Sequence, residues 1–113
     1  MGGISCPKPS YKKRKPEKVQ KIIMQSQKVC YVCSITQNLE AHHCFGAANR
    51  NKSEKYGLKI WLCHNHHNES IPVDKGVHFN RYLDLRLKRM AQRQFEHIYG
   101  HELFMAEFHK NYI

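Results

Sequence analysis

Two pairs of metal-type ligands, one at each end of the segment 30–66, constrain this chain more than any other feature. Cys30 and Cys33 form the first pair and Cys63 and His66 the second, each with two residues between the partners. Two intervening residues make a tight turn that brings both side chains onto one ion, and backbone N–H groups in that turn can point at the sulfurs. Three thiolates and an imidazole are a common structural zinc set. Such an ion pins together segments far apart in sequence, which suits a chain too short to bury a large core. His64 and His67 are rival partners for Cys63. His66 is preferred because its spacing repeats that of the first pair.

One zinc leaves His42, His43, His67 and His78 unused. Side chains of adjacent residues on a strand point to opposite faces, so one of His42 and His43 can bind a metal while the other faces a different target. His67 follows His66 and therefore faces away from the zinc. His78 comes after a Pro- and Gly-containing excursion that can return the chain to the same place. The bland alternative is that these are surface or stacking histidines. The adjacent pair together with His67 favours a second, functional cluster. His97, His101 and His109 read as ordinary.

The chain has 113 residues, 41% of them hydrophobic and 25% charged. That composition fits one globular domain. Lys and Arg number 19 against 9 Asp and Glu, for a net charge of +10. This excess favours a polyanionic partner, with nucleic acid ahead of an acidic membrane surface. No long apolar run, signal peptide or lipidation pattern appears, so neither membrane insertion nor export is expected. The five cysteines are an odd number and sit among histidines. Reduced, metal-binding thiolates in a cytosol explain them better than a disulfide framework. Cys6 has no partner at metal spacing.

Residues 1–18 hold Pro7, Pro9, Pro16 and the basic run Lys12, Lys13, Arg14 and Lys15, without apolar periodicity. They read as a flexible arm, either solubilising or in contact with a nucleic-acid backbone. Residues 19–113 read as a single domain, with a core over 28–78 and a helical tail over 79–113. Within it, residues 19–29 suit a short helix or an extended lead-in, burying Val19, Ile22 and Ile23. Residues 39–46 and 57–62 suit two strands, and 47–57 a polar loop. A short helix is expected from His64, stopped before Pro72 and Gly76. Phe79, Leu83, Leu87, Met90, Ala91, Phe95 and Ile98 recur at helical spacing as the buried face of a helix that Gly100 ends. Arg86, Arg89 and Arg93 lie elsewhere on that helix and are candidate nucleic-acid contacts. Residues 101–109 suit a last turn or two.

The order of these motifs resembles the HNH endonucleases, also called ββα-metal or His-Me finger nucleases, and within them the zinc-stapled, phage-encoded branch. The match covers residues 30 to 78: Cys-x2-Cys, a strand carrying His42 and His43, then Leu62-Cys63-x2-His66-His67-Asn68. His66 stands where relatives carry the second cysteine of the second knuckle. The resemblance implies a small α+β fold, with a zinc-stabilised ββα-metal core between a basic N-terminal arm and a C-terminal helical extension. It implies that His43 is the general base and that His42 and His67 hold a catalytic divalent ion. Mg2+, Mn2+, Ni2+ and Zn2+ are compatible, and imidazole ligands lean towards the transition metals. Many relatives carry a further ligand four residues after the helix histidine. Ile71 stands there, and His78 is the substitute. The motif's middle asparagine has no counterpart at its usual place, which leaves Asn49, Asn51 or Asn68 for that role.

The leading expectation is a metal-dependent DNA endonuclease that hydrolyses phosphodiester bonds, phage-encoded and acting in recombination or DNA processing in the cytoplasm of a bacterial host. Duplex, branched and single-stranded DNA all fit. A homodimer is compatible with the apolar face of 79–98. Two other expectations compete: a non-catalytic zinc module that binds nucleic acid, and a phage protein that binds a host protein. Salt separates them, because nucleic-acid affinity falls steeply as salt rises and an apolar protein interface does not behave so.

Overall fold

Strand β1 (Leu39–His43) alternates apolar, acidic and imidazole side chains, and strand β2 (Lys59–Cys63) is rich in large and β-branched residues. The two pair antiparallel with Leu39 opposite Cys63, His42 opposite Ile60 and His43 opposite Lys59. Glu40, His42, Ile60 and Leu62 therefore share one face, on which His42, Ile60 and Leu62 are buried. Ala41, His43, Lys59 and Trp61 share the other. This computed structural model describes residues 19–70 and 76–113. The expected arm 1–18, with Lys12, Lys13, Arg14 and Lys15, lies outside the described residues.

Between the strands the chain is helical, which corrects the expectation of a polar loop over 47–57. A 3-10 turn (Ala47–Asn49) leads into helix α1 (Arg50–Tyr56). Only Ser53 and Tyr56 of α1 are buried. The Ser53 hydroxyl donates to the Phe45 carbonyl at 2.7 Å and accepts from the Phe45 N–H at 3.0 Å, tying α1 to the end of β1. Gly57 ends α1 in the left-handed region, where a Cβ would collide with the Ile22 backbone. The lead-in has no regular secondary structure there, and the Ile22 N–H donates to the Tyr56 carbonyl at 2.8 Å. Ile22 is buried, whereas Ile23 is exposed, contrary to expectation.

Helix α2 (His64–Asn68) follows β2 without a break. After a 3-10 turn (Val77–Phe79), helix α3 (Arg81–Tyr99) begins with the Asn80 side chain accepting from the Leu83 N–H at 3.0 Å. Gly100, at φ +90°, separates it from helix α4 (His101–Phe108). The start at Arg81 shifts the buried face to Leu87, Ala91, Gln92 and Phe95. Phe79 lies in the 3-10 turn and Ile98 on the outer flank, so both are exposed, against the helical reading of 79–98. Buried Gln92 donates to Asn111 and accepts from the Tyr112 N–H, which fastens the C-terminal residues to α3.

The result is a small α+β fold with a two-stranded sheet and four helices among the described residues. Phe45, Tyr56, Phe95, Phe104 and Phe108 form its aromatic centre, with ring pairs such as Phe45–Phe108 at 4.7 Å and Tyr56–Phe95 at 4.9 Å. The Tyr56 hydroxyl donates to the buried Glu107 carboxylate at 2.6 Å. Burial and that carboxylate both push the phenol's pKa up. Tyr56→Phe should lower the unfolding free energy by about 1–3 kcal/mol, because a buried carboxylate loses a donor. Urea denaturation checks this, and an unchanged midpoint would mean that Glu107 is satisfied without the hydroxyl.

Candidate metal centres

The first knuckle is a turn in which the Ser34 N–H donates to the Cys30 carbonyl at 2.8 Å and the Cys33 N–H points at the Cys30 sulfur at 3.5 Å. Ser34 closes it in the left-handed region at φ +69°. The Tyr31 N–H donates to the Trp61 carbonyl at 2.9 Å, which fastens the knuckle beside β2. Cys63 is the last residue of β2 and the N-cap of α2, and His66 is on α2. The four side chains sit close enough to hold one metal ion, with ligand atoms within 4.8 Å of one another.

The edge lengths fit a tetrahedral zinc. Zn–S and Zn–N bonds of about 2.3 and 2.0–2.1 Å imply edges of about 3.8 Å between two sulfurs and about 3.5 Å between sulfur and nitrogen. Cys33 Sγ and Cys63 Sγ are 3.8 Å apart, and His66 Nδ1 lies 3.3 Å from Cys63 Sγ and 3.7 Å from Cys30 Sγ. Burial pushes the Cys30 thiol up, but the backbone amides of Cys63, Cys33 and Val32 and the Cys33 side chain outweigh it and bring the pKa down to about 6. A thiolate is therefore favoured at Cys30 before any ion contributes. His64 and His67, the rival partners of Cys63, turn elsewhere.

A second cluster lies on the other side of α2. His42, on the inner face of β1, His67 on α2 and His78 in the 3-10 turn bring one ligand atom each to within 4.8 Å of the others. His67 Nε2 and His78 Nε2 are 3.0 Å apart, and the His42 ring centroid is 5.2 and 5.3 Å from those of His67 and His78. His42 is buried, and its Nε2 is a buried polar atom without a hydrogen-bond partner among the described residues. Burial first, and then the nearby His67 and His78, bring its pKa down to about 3, which keeps the ring neutral and its lone pair available. Burial likewise lowers that of His78. Three imidazoles converging on one point, one of them with a buried nitrogen unsatisfied among the described residues, suit a divalent transition metal.

Local structure explains how the residues reach these positions. A five-residue helix is far too short to persist alone. α2 is held by β2 through Cys63 and by Glu40 on β1. Glu40 Oε1 accepts from His67 Nδ1 at 2.7 Å and from Asn68 at 2.8 Å, and Oε2 accepts from His64 Nδ1 at 2.9 Å. His67 and His64 hold the Glu40 carboxyl below its ordinary range, so it accepts from both rings as an anion. With its Nδ1 donating to Glu40, His67 presents Nε2 to the cluster, the outer-partner arrangement common among metal-binding histidines. Gly76 brings the chain back against α2. Its N–H donates to the Glu69 carbonyl at 2.8 Å, and a Cβ there would meet the Glu69 nitrogen at 2.7 Å. His78 follows two residues later.

His43 stands on the opposite face of β1 from His42 but borders the same cleft of about 480 Å3, which Asn49, Arg81, Asp84, Lys88 and Tyr112 also line. Its Nε2 lies 2.9 Å from Glu54 Oε1 on α1. Arg86, Arg89 and Arg93 are exposed on α3 and border a separate groove of about 250 Å3, together with Tyr31 of the first knuckle and Met90. The structure thus gathers Cys30, Cys33, Cys63 and His66 at one centre and His42, His67 and His78 at another, with His43 beside the second. Glu40, Glu54, Arg81 and Lys88 are the residues that sequence reasoning missed. Only Glu40 left a signal, two positions before His42 and hence on its face. Among the described residues, no helix is long and apolar enough to cross a membrane. No family model, curated protein or solved structure matches this chain.

Proposed function

We propose that this protein is a metal-dependent endonuclease of the HNH, or ββα-metal, type. On this reading a structural zinc sits at Cys30, Cys33, Cys63 and His66, and a catalytic divalent ion at His42, His67 and His78. The observation that carries it is the buried Nε2 of His42, unpartnered among the described residues and converging with two further imidazoles beside an adjacent histidine on the same cleft. A zinc module that only binds nucleic acid has no use for that second cluster.

His43 is the general base, accepting the proton of the attacking water. The ion, when bound, supplies Lewis-acid stabilisation of the scissile phosphate and the departing 3′ oxygen. Arg81 and Lys88 line the cleft as cationic groups suited to a phosphodiester. Arg86, Arg89 and Arg93 hold neighbouring backbone, together with Lys12, Lys13, Arg14 and Lys15 of the arm, and backbone contacts of this kind carry little sequence information. The resemblance of residues 30–78 to the phage branch adds a role in DNA recombination or processing in the bacterial cytoplasm. Zinc-loaded protein should cut plasmid or branched DNA only when a second divalent ion is added from a Mg2+, Mn2+ and Ni2+ series. If it binds DNA and cuts neither substrate with any ion, the non-catalytic module takes its place.

A further inference from the structure

We propose that Glu54 is the positioning residue of His43: its carboxylate takes the ring's Nε2–H and leaves Nδ1 as the open proton acceptor at the cleft. The inference rests on the nuclease reading for its consequence, but not for its geometry. His43 and Lys59 are direct partners in the strand register, on the same face of the sheet. Glu54 reaches over from α1 and bridges them. Its Oε1 is 2.9 Å from His43 Nε2 and 3.0 Å from Lys59 Nζ, and its Oε2 is 2.9 Å from Lys59 Nζ and 3.8 Å from Lys21 Nζ.

An ionised carboxylate has only acceptors, so the ring nitrogen that meets it must carry the hydrogen. Lys59, and then His43, bring the Glu54 pKa down to about 2, which keeps that carboxylate ionised. A neutral imidazole has a single N–H. With that hydrogen on Nε2, Nδ1 keeps its lone pair, and among the described residues no hydrogen bond occupies it. The other tautomer would place the hydrogen on Nδ1 and remove the acceptor.

The mounting of Glu54 argues for orientation rather than a chance surface pair. Its neighbour Ser53 is fully buried and bonds both the N–H and the carbonyl of Phe45, two residues beyond His43. Helix and strand are therefore locked next to the contact. The His43 side chain is only 14% exposed while that of Glu54 is 49% exposed. A contact this open adds little to stability. Its effect falls on the direction and tautomer of the more enclosed ring.

The test compares wild type with Glu54→Ala and Glu54→Gln, all zinc-loaded and full length. Long-range 1H–15N spectra at about pH 8, where an ordinary imidazole is neutral, read the His43 tautomer directly. Wild type and Glu54→Gln, whose amide oxygen still accepts, should show the Nε2–H form, and Glu54→Ala a mixture or the Nδ1–H form. In DNA cleavage, Glu54→Ala should lose about 10- to 100-fold in kcat with little change in KM, and Glu54→Gln should recover most of it. A wild-type tautomer in Glu54→Ala overturns the proposal, as does a wild-type kcat in that variant. If the wild type itself does not cut DNA, the nuclease reading fails, and the spectra alone still decide whether Glu54 orients His43.

Discussion

Cys63→Ser should give a chain that no longer folds cooperatively at room temperature. Cys63 joins three structural roles: it ends β2, caps α2 and is one of the four side chains placed to hold a metal ion, zinc on the proposed reading. Structural zinc contributes about 10–16 kcal/mol of apparent binding free energy in small zinc domains. The net stability of a whole domain is about 5–15 kcal/mol. Losing most of the first is therefore comparable to the whole of the second. The Tyr31–Trp61 backbone bond and the five-residue α2 would lose their anchor together, and His67 would leave the second cluster with them. Zinc content and far-ultraviolet circular dichroism should fall together in the variant, and a strong chelator should produce the same loss in wild type. A variant that melts as wild type does without zinc would show that the aromatic core suffices.

His42→Ala should abolish binding of the second ion while leaving one zinc per chain. His42 is the buried member of its cluster, and among the described residues its Nε2 has no partner to replace an ion. Loss of an outer partner of a metal ligand costs about 10- to 100-fold in affinity. Loss of one of three ligands should cost more than that. Cleavage should fall by at least about 100-fold, the lower bound of the contribution of a positioned acid–base or metal system. Equilibrium dialysis with Co2+ or Mn2+ measures the binding directly. Undiminished binding of a second ion by His42→Ala would place that ion elsewhere.

The four-residue metal site was the most legible part of this sequence, because two pairs with equal spacing carry their geometry with them. Cys30, Cys33, Cys63 and His66 come together as their spacing implies, and His66 prevails over His64, which pairs with Glu40 and Glu69 instead. The separation of His42 from His43 followed from strand alternation alone. The return of His78 was legible only as a spare ligand after a turn, because the contact that delivers it is the close approach of Gly76 to Glu69, a long-range packing fact.

Helix α1 was missed for a physical reason. Six of the seven residues in Arg50–Tyr56 are polar or charged, only Ser53 and Tyr56 are buried, and no apolar stripe announces the helix. Its fastening is a serine hydroxyl bonded to Phe45, which no periodicity reports. Missing α1 meant missing Glu54. The error at Phe79 has a different origin. Its spacing fits the helix that follows, but Asn80 caps that helix, and the 3-10 turn before it buries Val77 instead. Lys12, Lys13, Arg14 and Lys15 stand on their charge pattern alone, outside the described residues.

The central claim is that His43 acts beside an ion held by His42, His67 and His78 to hydrolyse a phosphodiester. Its most direct test is single-turnover cleavage of supercoiled plasmid by wild type and His43→Ala, each with one zinc per chain and saturating Mn2+. The account predicts cutting by wild type and a loss of about 10²–10⁴-fold in the variant, with second-ion and DNA binding unchanged. Equal cutting by both proteins, or none by either while both hold two ions and bind DNA, would contradict it.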